Sequence, residues 1–199
     1  MRIDEYFSYP LSDVFDRNGQ ETDWLDIGTI EVTSGRMAVG DNTFFPQDQL
    51  EMDIKPGQYS VQAKVRDFGT DRRVSRLRAF QAAPPFVSRL KGQLSVGFNS
   101  VSVCDPAAFL AALLKQTEDG HNRELAQALY WSRLEDDFGT ITLVDELPAT
   151  MAFVRCGWGS GSYDVFELIA DTTRVGIEVI FIEPQEPYIF ENTSEFDII

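Results

Sequence analysis

The stretch whose residue types could do chemistry is Cys156-Gly157-Trp158-Gly159-Ser160-Gly161-Ser162-Tyr163. Three glycines at alternate positions let a backbone turn sharply and expose amides that could cradle an anion. Trp158 and Tyr163 could offer flat faces to a ligand. The stretch is not a nucleotide-binding P-loop, because no Gly-Lys-Ser/Thr follows and the residues after it read as a strand. The same pattern fits a bulged strand or hairpin, where glycine allows a bend beside a packed aromatic. A second feature could meet it. Residues 64–91 hold eight cations (Lys64, Arg66, Arg72, Arg73, Arg76, Arg78, Arg89, Lys91) against two Asp, a net of +6 in a chain of formal charge −15. Such an island fits pairing with carboxylates on neighbouring strands, or a site for an anion or an acidic partner steered by the local field. Arg76 and Arg78 together with Trp158, Ser160, Ser162 and Tyr163 are the candidate ligand- or partner-binding residues.

Other chemistries find no assembled set. His121, the one histidine, lies in Glu118-Asp119-Gly120-His121-Asn122, which reads as a polar link between helices. A Ser–His or Cys–His system needs a base held against its nucleophile and oriented by a third group. Cys104 and Cys156 both end apolar, strand-like runs and read as small buried hydrophobes; they make no CxxC pair, and one histidine cannot build a His-rich zinc site. The 32 carboxylates guarantee coincidental pairs. Asp4-Glu5, Asp136-Asp137 and Asp145-Glu146 are adjacent, and neighbours on a strand or helix point apart. Asp67-Phe68-Gly69 and Asp137-Phe138-Gly139 spell the kinase magnesium tripeptide without its glycine loop, paired lysine or catalytic segment, so both read as turns. The expectation is no catalytic residue, no metal and no cofactor, leaning against an enzyme.

Composition narrows the class. With 199 residues, 43% apolar and 25% charged, the chain fits a soluble globular protein. A charge of −15 repels phosphate backbones and speaks against nucleic acid. No run approaches the ~20 apolar residues of a membrane helix. Met1-Arg2-Ile3-Asp4-Glu5 has no signal-peptide core, so a cytoplasmic protein with reduced thiols is expected.

The elements that must position these residues are mostly strands. Residues 27–33 and 36–39 read as a hairpin about Ser34-Gly35, and 50–54 alternates again. Lys55-Pro56-Gly57 is a turn. Tyr59, Val61, Ala63 and Val65 then share one face while Ser60, Gln62, Lys64 and Arg66 share the other, the clearest strand of the sequence. Residues 72–83 return as its partner. Residues 94–104 read as one apolar strand with a bulge at Gly97. Asp105-Pro106 starts a helix, since Asp caps free amides and Pro suits the first helical position. A second helix is expected over 122–134, and strands over 140–144, 150–156, 163–170 and 175–182. The class is α+β: mainly antiparallel β, a sandwich or strongly bent sheet, with a helical pair inserted around 105–134. Residues 1–26 read as an N-terminal arm with a short helix near 11–15, 27–182 as one β-rich domain, and 183–199 as an acidic extension.

Four short segments, in order, carry a resemblance: Ile27-Gly28-x-Ile30-x-Val32-x-Ser34-Gly35, Pro56-Gly57-x-Tyr59-x-Val61, Val101-x-Val103-Cys104-Asp105-Pro106 and Gly157-Trp158-Gly159-Ser160-Gly161-x-Tyr163. Over roughly residues 27–182 the chain resembles an uncharacterised bacterial family known only as a domain of unknown function. An acidic residue often stands in that family where Ser160 stands here, which turns this loop away from a metal or acid role. The resemblance implies a β-rich domain and little about activity.

The leading functional expectation is a non-catalytic acidic binding protein, in its most concrete form an immunity-type inhibitor of a basic protein, since acidic surfaces speed capture of basic partners. A small-ligand or carbohydrate module built on the Trp158/Tyr163 loop is the second. A carboxylate hydrolase is the third and needs two buried carboxylates together in a cleft.

Overall fold

The computed structural model describes residues 15–42, 45, 48–69, 71–97, 99–118, 137–144 and 149–183. Twelve strands and one helix occur among them: β1 (Phe15–Glu21), β2 (Leu25–Val32), β3 (Arg36–Asp41), β4 (Gln49–Asp53), β5 (Gly57–Gly69), β6 (Arg72–Phe80), β7 (Val87–Val96), β8 (Ser100–Cys104), α1 (Pro106–Glu118), β9 (Phe138–Val144), β10 (Ala149–Arg155), β11 (Gly161–Ala170) and β12 (Thr173–Ile180).

Alternation along the strands dictates the layers. On β5, Tyr59, Val61, Ala63 and Val65 are buried and face inward, as their period of two requires. They join Leu77 and Ala79 of β6, Ile177 and Val179 of β12, Val165 of β11 and Leu94 and Val96 of β7. Met37 and Val39 of β3, Val101 and Val103 of β8, and Ala152 and Val154 of β10 close the same core from the other side. The first group belongs to a seven-stranded sheet of order β1-β5-β6-β12-β11-β7, with β2 also on β5. The second belongs to a five-stranded sheet of order β4-β3-β8-β10-β9. Every strand pair in both is antiparallel. Two antiparallel sheets sharing one inner core make a β-sandwich.

The smaller sheet is apolar on both faces because the helix covers its outer one. Ala38, Cys104, Met151, Leu143 and Ala149 point away from the sandwich and meet Phe109 and Ala112 of α1. That is why Ser100–Cys104 is buried at every position. Asp105 caps α1 as expected, accepting from the Ala107 and Ala108 amides at 2.9 and 3.3 Å.

Several expectations change. Residues 27–33 and 36–39 do not form a hairpin: β2 pairs with β5 in the larger sheet and β3 with β4 and β8 in the smaller one, so Ser34-Gly35 is a passage between sheets. Asp67-Phe68-Gly69 ends β5 rather than forming a turn, and Phe138-Gly139 opens β9. Among the described residues there is one helix and not a helical pair; the second helix expected over 122–134 lies outside them, as does His121. Residues 94–104 are not one strand. Leu94 and Val96 end β7 in the larger sheet, and β8 begins the smaller one, with Asn99 in the left-handed region (φ 61°) where the chain changes sheet. Apolar alternation resumes beyond this corner one residue out of phase, Leu94 and Val96 and then Val101 and Val103, because both pieces face the same core. Finally, Phe15–Glu21 is a strand, not the end of a helix, and residues 11–14 are outside the described set. β1 pairs with residues 66–69 of β5 and β2 with residues 57–63, so the two lie end to end along one edge. Of the expected acidic extension only Glu183 is described.

Candidate functional site

Residues 156–160 carry the chain from the smaller sheet back to the larger one, between β10 and β11. This second corner lies against the first. Cys156 donates its amide to the Asn99 carbonyl at 2.9 Å. Ser160 donates its hydroxyl to the Gly97 carbonyl at 2.8 Å. The two glycines inside the corner have separate reasons. Gly159 has φ +98°, a region other residues avoid. At Gly157 a Cβ would fall 2.8 Å from the Cβ of Phe181, so only glycine lets the loop lie on that strand end.

The loop is therefore neither a bulged strand nor a hairpin; it is a corner between sheets, buttressed from beneath by Tyr163. Tyr163 shares the inward face of β11 with Val165, is 7% exposed, and stands edge-on to Phe181 at 5.1 Å. Its hydroxyl donates to the Gly159 carbonyl. Burial pushes the phenol above its ordinary range. Beside it the Cys156 thiol donates to the same carbonyl at 3.2 Å, and burial raises it to about 12 although the Tyr163 hydrogen bond works the other way.

On the outer side of the corner a cavity of about 230 Å³ is lined by Asp71, Arg72, Arg73, Val74, Asn99, Asp137, Arg155, Cys156, Gly157 and Gly159. Its charged walls come from three places far apart in sequence. Asp71, Arg72 and Arg73 form the tip of the β5–β6 hairpin, Arg155 ends β10 and Asp137 precedes β9. Arg73 is the organiser: its Nε donates to Asp71 at 2.6 Å, its Nη1 to the Gly157 carbonyl at 3.1 Å, and its guanidinium lies 5.3 Å from the Trp158 ring centre. Phe68 meets Trp158 at 5.1 Å, tilted by 38°. Trp158 nonetheless stays 54% exposed. Arg155 faces Asp137 at 3.8 Å. The lining holds three guanidiniums against two carboxylates, and Asp67, outside the lining, pairs with the third of them, Arg72, at 3.7 Å.

The sequence-derived residues divide. Trp158 and Ser160 lie on this corner, next to lining residues of the cavity but not among them. Ser162 is exposed on β11, opposite Ser95 of β7. Tyr163 is a buried strut rather than a stacking surface. Arg76 and Arg78 are among neither the cavity's lining nor the partners of Trp158. Arg76 bridges Glu21 at 3.6 Å and Glu178 at 3.2 Å. Arg78 donates to Gln62 and lies 3.8 Å over Trp24, with Phe80 and Phe86 close by; burial holds its guanidinium below its usual range. The island is largely paired across strands, with all its cations except Arg78 within 4.0 Å of a carboxylate. Arg155, Asp137 and Asn99 carried no sequence signal, since only long-range pairing brings them to the loop. Arg72 and Arg73 had one: they flank the turn 69–71, and a hairpin tip is where a sheet presents charge to its surroundings.

Among the described residues no group of three His, Cys, Asp or Glu could hold a metal ion, and no helix is long and apolar enough to cross a membrane. No protein-family model matches the chain, and no curated protein or solved structure matches it.

Proposed function

We propose that this chain is a non-catalytic binding protein whose recognition site is the notch at the inter-sheet corner, and that its ligand combines a flat face with an anionic group, as an acidic sugar or an aromatic carboxylate does. The observation that carries this reading is Trp158. A large aromatic ring stands more than half exposed beside a polar cavity walled by Arg72, Arg73 and Arg155. Exposed tryptophan usually marks a contact surface, and a few convergent polar groups next to it supply orientation. The corner is rigid, strapped by Asn99, Gly97 and Tyr163, so little ordering cost opposes binding.

The other two readings draw less support. Capture of a basic partner rests on the charge of −15, but the described residues hold 14 Lys and Arg against 19 Asp and Glu, so most of the acidic excess belongs to residues outside the described set. A carboxylate hydrolase would want a buried pair of acids; Asp71 and Asp137 of the cavity are 34% and 57% exposed, each against its own arginine.

A thermal-shift screen of sugar acids and aromatic carboxylates tests the proposal. At least one should raise the melting temperature saturably. Trp158→Ala and Arg73→Gln should each abolish that rise, while the unliganded Trp158→Ala chain melts near the parent. A ligand that stabilises parent and both variants alike would show that binding lies elsewhere.

A further inference from the structure

A second cavity, of about 440 Å³, is lined by Asp53, Ile54, Lys55, Arg89, Ile169, Thr172, Thr173 and Arg174. It sits at the far end of β11 from the corner: Ile169 is eight residues beyond Gly161, ~26 Å along an extended strand. Its charges are arranged by one carboxylate. Glu167 accepts from Arg89 through Nε and Nη2, and forms ion pairs with Arg174 Nε at 3.1 Å and the Lys91 ammonium at 3.8 Å. The Glu167 side chain is 4% exposed, whereas Arg89 and Arg174 are 58% and 37% exposed. The anion is thus buried beneath the cations it gathers. Burial works to raise its carboxyl, and the Arg89 hydrogen bond with the surrounding cations more than offsets this and keeps it ionised.

This arrangement leaves charge and donors unused. Arg89, Lys91 and Arg174 share one carboxylate, Lys55 on the rim has no ion pair among the described residues, and Asp53 is the only acid of the lining. Four cations against two carboxylates give a local excess of about two positive charges, set close together at a cost in mutual repulsion. Each guanidinium has five N–H donors, and the contacts of Arg89 and Arg174 with Glu167 and the Asp53 carbonyl occupy two apiece. The hydroxyls of Thr172 and Thr173 line the same space, and Ile54 and Ile169 supply apolar wall.

We propose that this cavity binds the phosphate group of a small phosphorylated molecule. Excess charge near two matches a dianion rather than a monocarboxylate. The lining carries two forks, an ammonium and two hydroxyls, a donor set that suits a tetrahedral oxyanion. The volume falls within the range of small-molecule sites and far exceeds one phosphate, so the isoleucine walls take the rest of the ligand. Glu167 is the positioning residue that holds the two forks side by side.

Isothermal titration at constant ionic strength tests this with phenyl phosphate, inorganic phosphate and benzoate, alongside co-sedimentation with phosphatidate vesicles. Phenyl phosphate should bind saturably at one site, more tightly than inorganic phosphate and at least ~10-fold more tightly than benzoate. Lys55→Gln, an exposed position whose loss leaves the fold intact, should weaken it ~10-fold, and Arg174→Gln by as much or more, in line with charge-assisted contacts. Trp158→Ala should leave it unchanged, which separates this site from the corner notch. No saturable heat at millimolar phenyl phosphate, or undiminished binding in both variants, overturns the proposal. Sedimentation with the vesicles without uptake of phenyl phosphate would overturn the assignment to a small molecule.

Discussion

Asp105→Ala is the substitution from which most of the sandwich's organisation can be read. The Asp105 side chain, 1% exposed, joins the β2–β3 turn to the first turn of α1. One oxygen accepts from the Thr33 amide at 2.7 Å, the Thr33 hydroxyl at 3.1 Å and the Ser34 amide at 2.8 Å. The other accepts from the Ser34 hydroxyl at 2.7 Å and from the Ala107 and Ala108 amides. Alanine removes the helix cap, worth about 1 kcal/mol, and strands buried donors, each of which costs ~1–3 kcal/mol where solvent cannot replace the acceptor. Water reaching the exposed turn offsets part of this, so a loss of about 3–5 kcal/mol is expected, a large share of a typical 5–15 kcal/mol. Asp105→Asn keeps one acceptor oxygen and should lose less. The acid limb supplies a second readout. Burial works to raise the Asp105 carboxyl, but the Ser34, Thr33 and Ala108 donors pull it further the other way, to a net value below 3.8. A carboxyl lowered in the folded state contributes stability that is complete above its unfolded pKa and is lost as pH falls through the folded one. The gap between parent and Asp105→Asn should therefore be widest near pH 6 and should narrow below about pH 4. Urea titrations of parent, Asp105→Ala and Asp105→Asn at several pH values measure it. An Asp105→Ala chain within 1 kcal/mol of the parent at pH 6, or a gap to Asp105→Asn that stays constant down to pH 3, would refute the reasoning.

Glu21→Gln removes the carboxylate shared by Lys64, Arg66 and Arg76 and accepting from Ser75 at 2.7 Å; equilibrium unfolding should show a loss of about 1–3 kcal/mol, since Glu21 is mostly shielded from solvent. Gly176→Ala would set a Cβ 2.1 Å from the Ala79 carbonyl oxygen and 2.9 Å from the Phe80 Cα, so β12 must shift against β6; calorimetry should register a loss of about 2–3 kcal/mol or more. Burial holds the Cys104 thiol well above its ordinary range and raises Cys156 to about 12; both should resist a thiol-specific disulfide reagent at pH 8 in the folded chain and react promptly in urea, as followed by absorbance.

The parts of the fold legible in the sequence are those set by short-range physics. The period of two on Tyr59–Val65 and the cap at Asp105-Pro106 identify a strand and a helix start from local residues alone. Turn chemistry at Ser34-Gly35 marks a change of direction there, but not that β2 and β3 part into different sheets instead of pairing as a hairpin. What these elements meet is another matter. Ser34 and Asp105 stand in two separate motifs, and nothing local tells that one side chain ties them together. β7 was missed up to Leu94 because Val87, Ser88, Arg89, Leu90 and Lys91 are exposed or half-exposed and show no clean alternation. They form an edge strand, where charge is tolerated and burial demands little of the sequence. The candidate site divides on the same line. Glycine spacing around Trp158 singled out the loop, though not as a corner between sheets, and the arginine island pointed to its neighbourhood. Which arginines lie near the corner depends on register. Val65 pairs with Val74 but Lys64 pairs with Arg76, so a bulge at Ser75 sends the hairpin tip, with Arg73, toward Trp158 and leaves Arg76 over Glu21. Tyr163 is the opposite case. Its local signal was present, since it falls on the same face as the inward Val165, two residues on, and that period argues for a strut. A residue's type suggested the ligand platform, whereas its place in the alternation decided its role. The same test applied to Trp158 has no strand to refer to, because it lies in the corner itself, so the proposal of a binding notch there rests on its exposure rather than on its spacing.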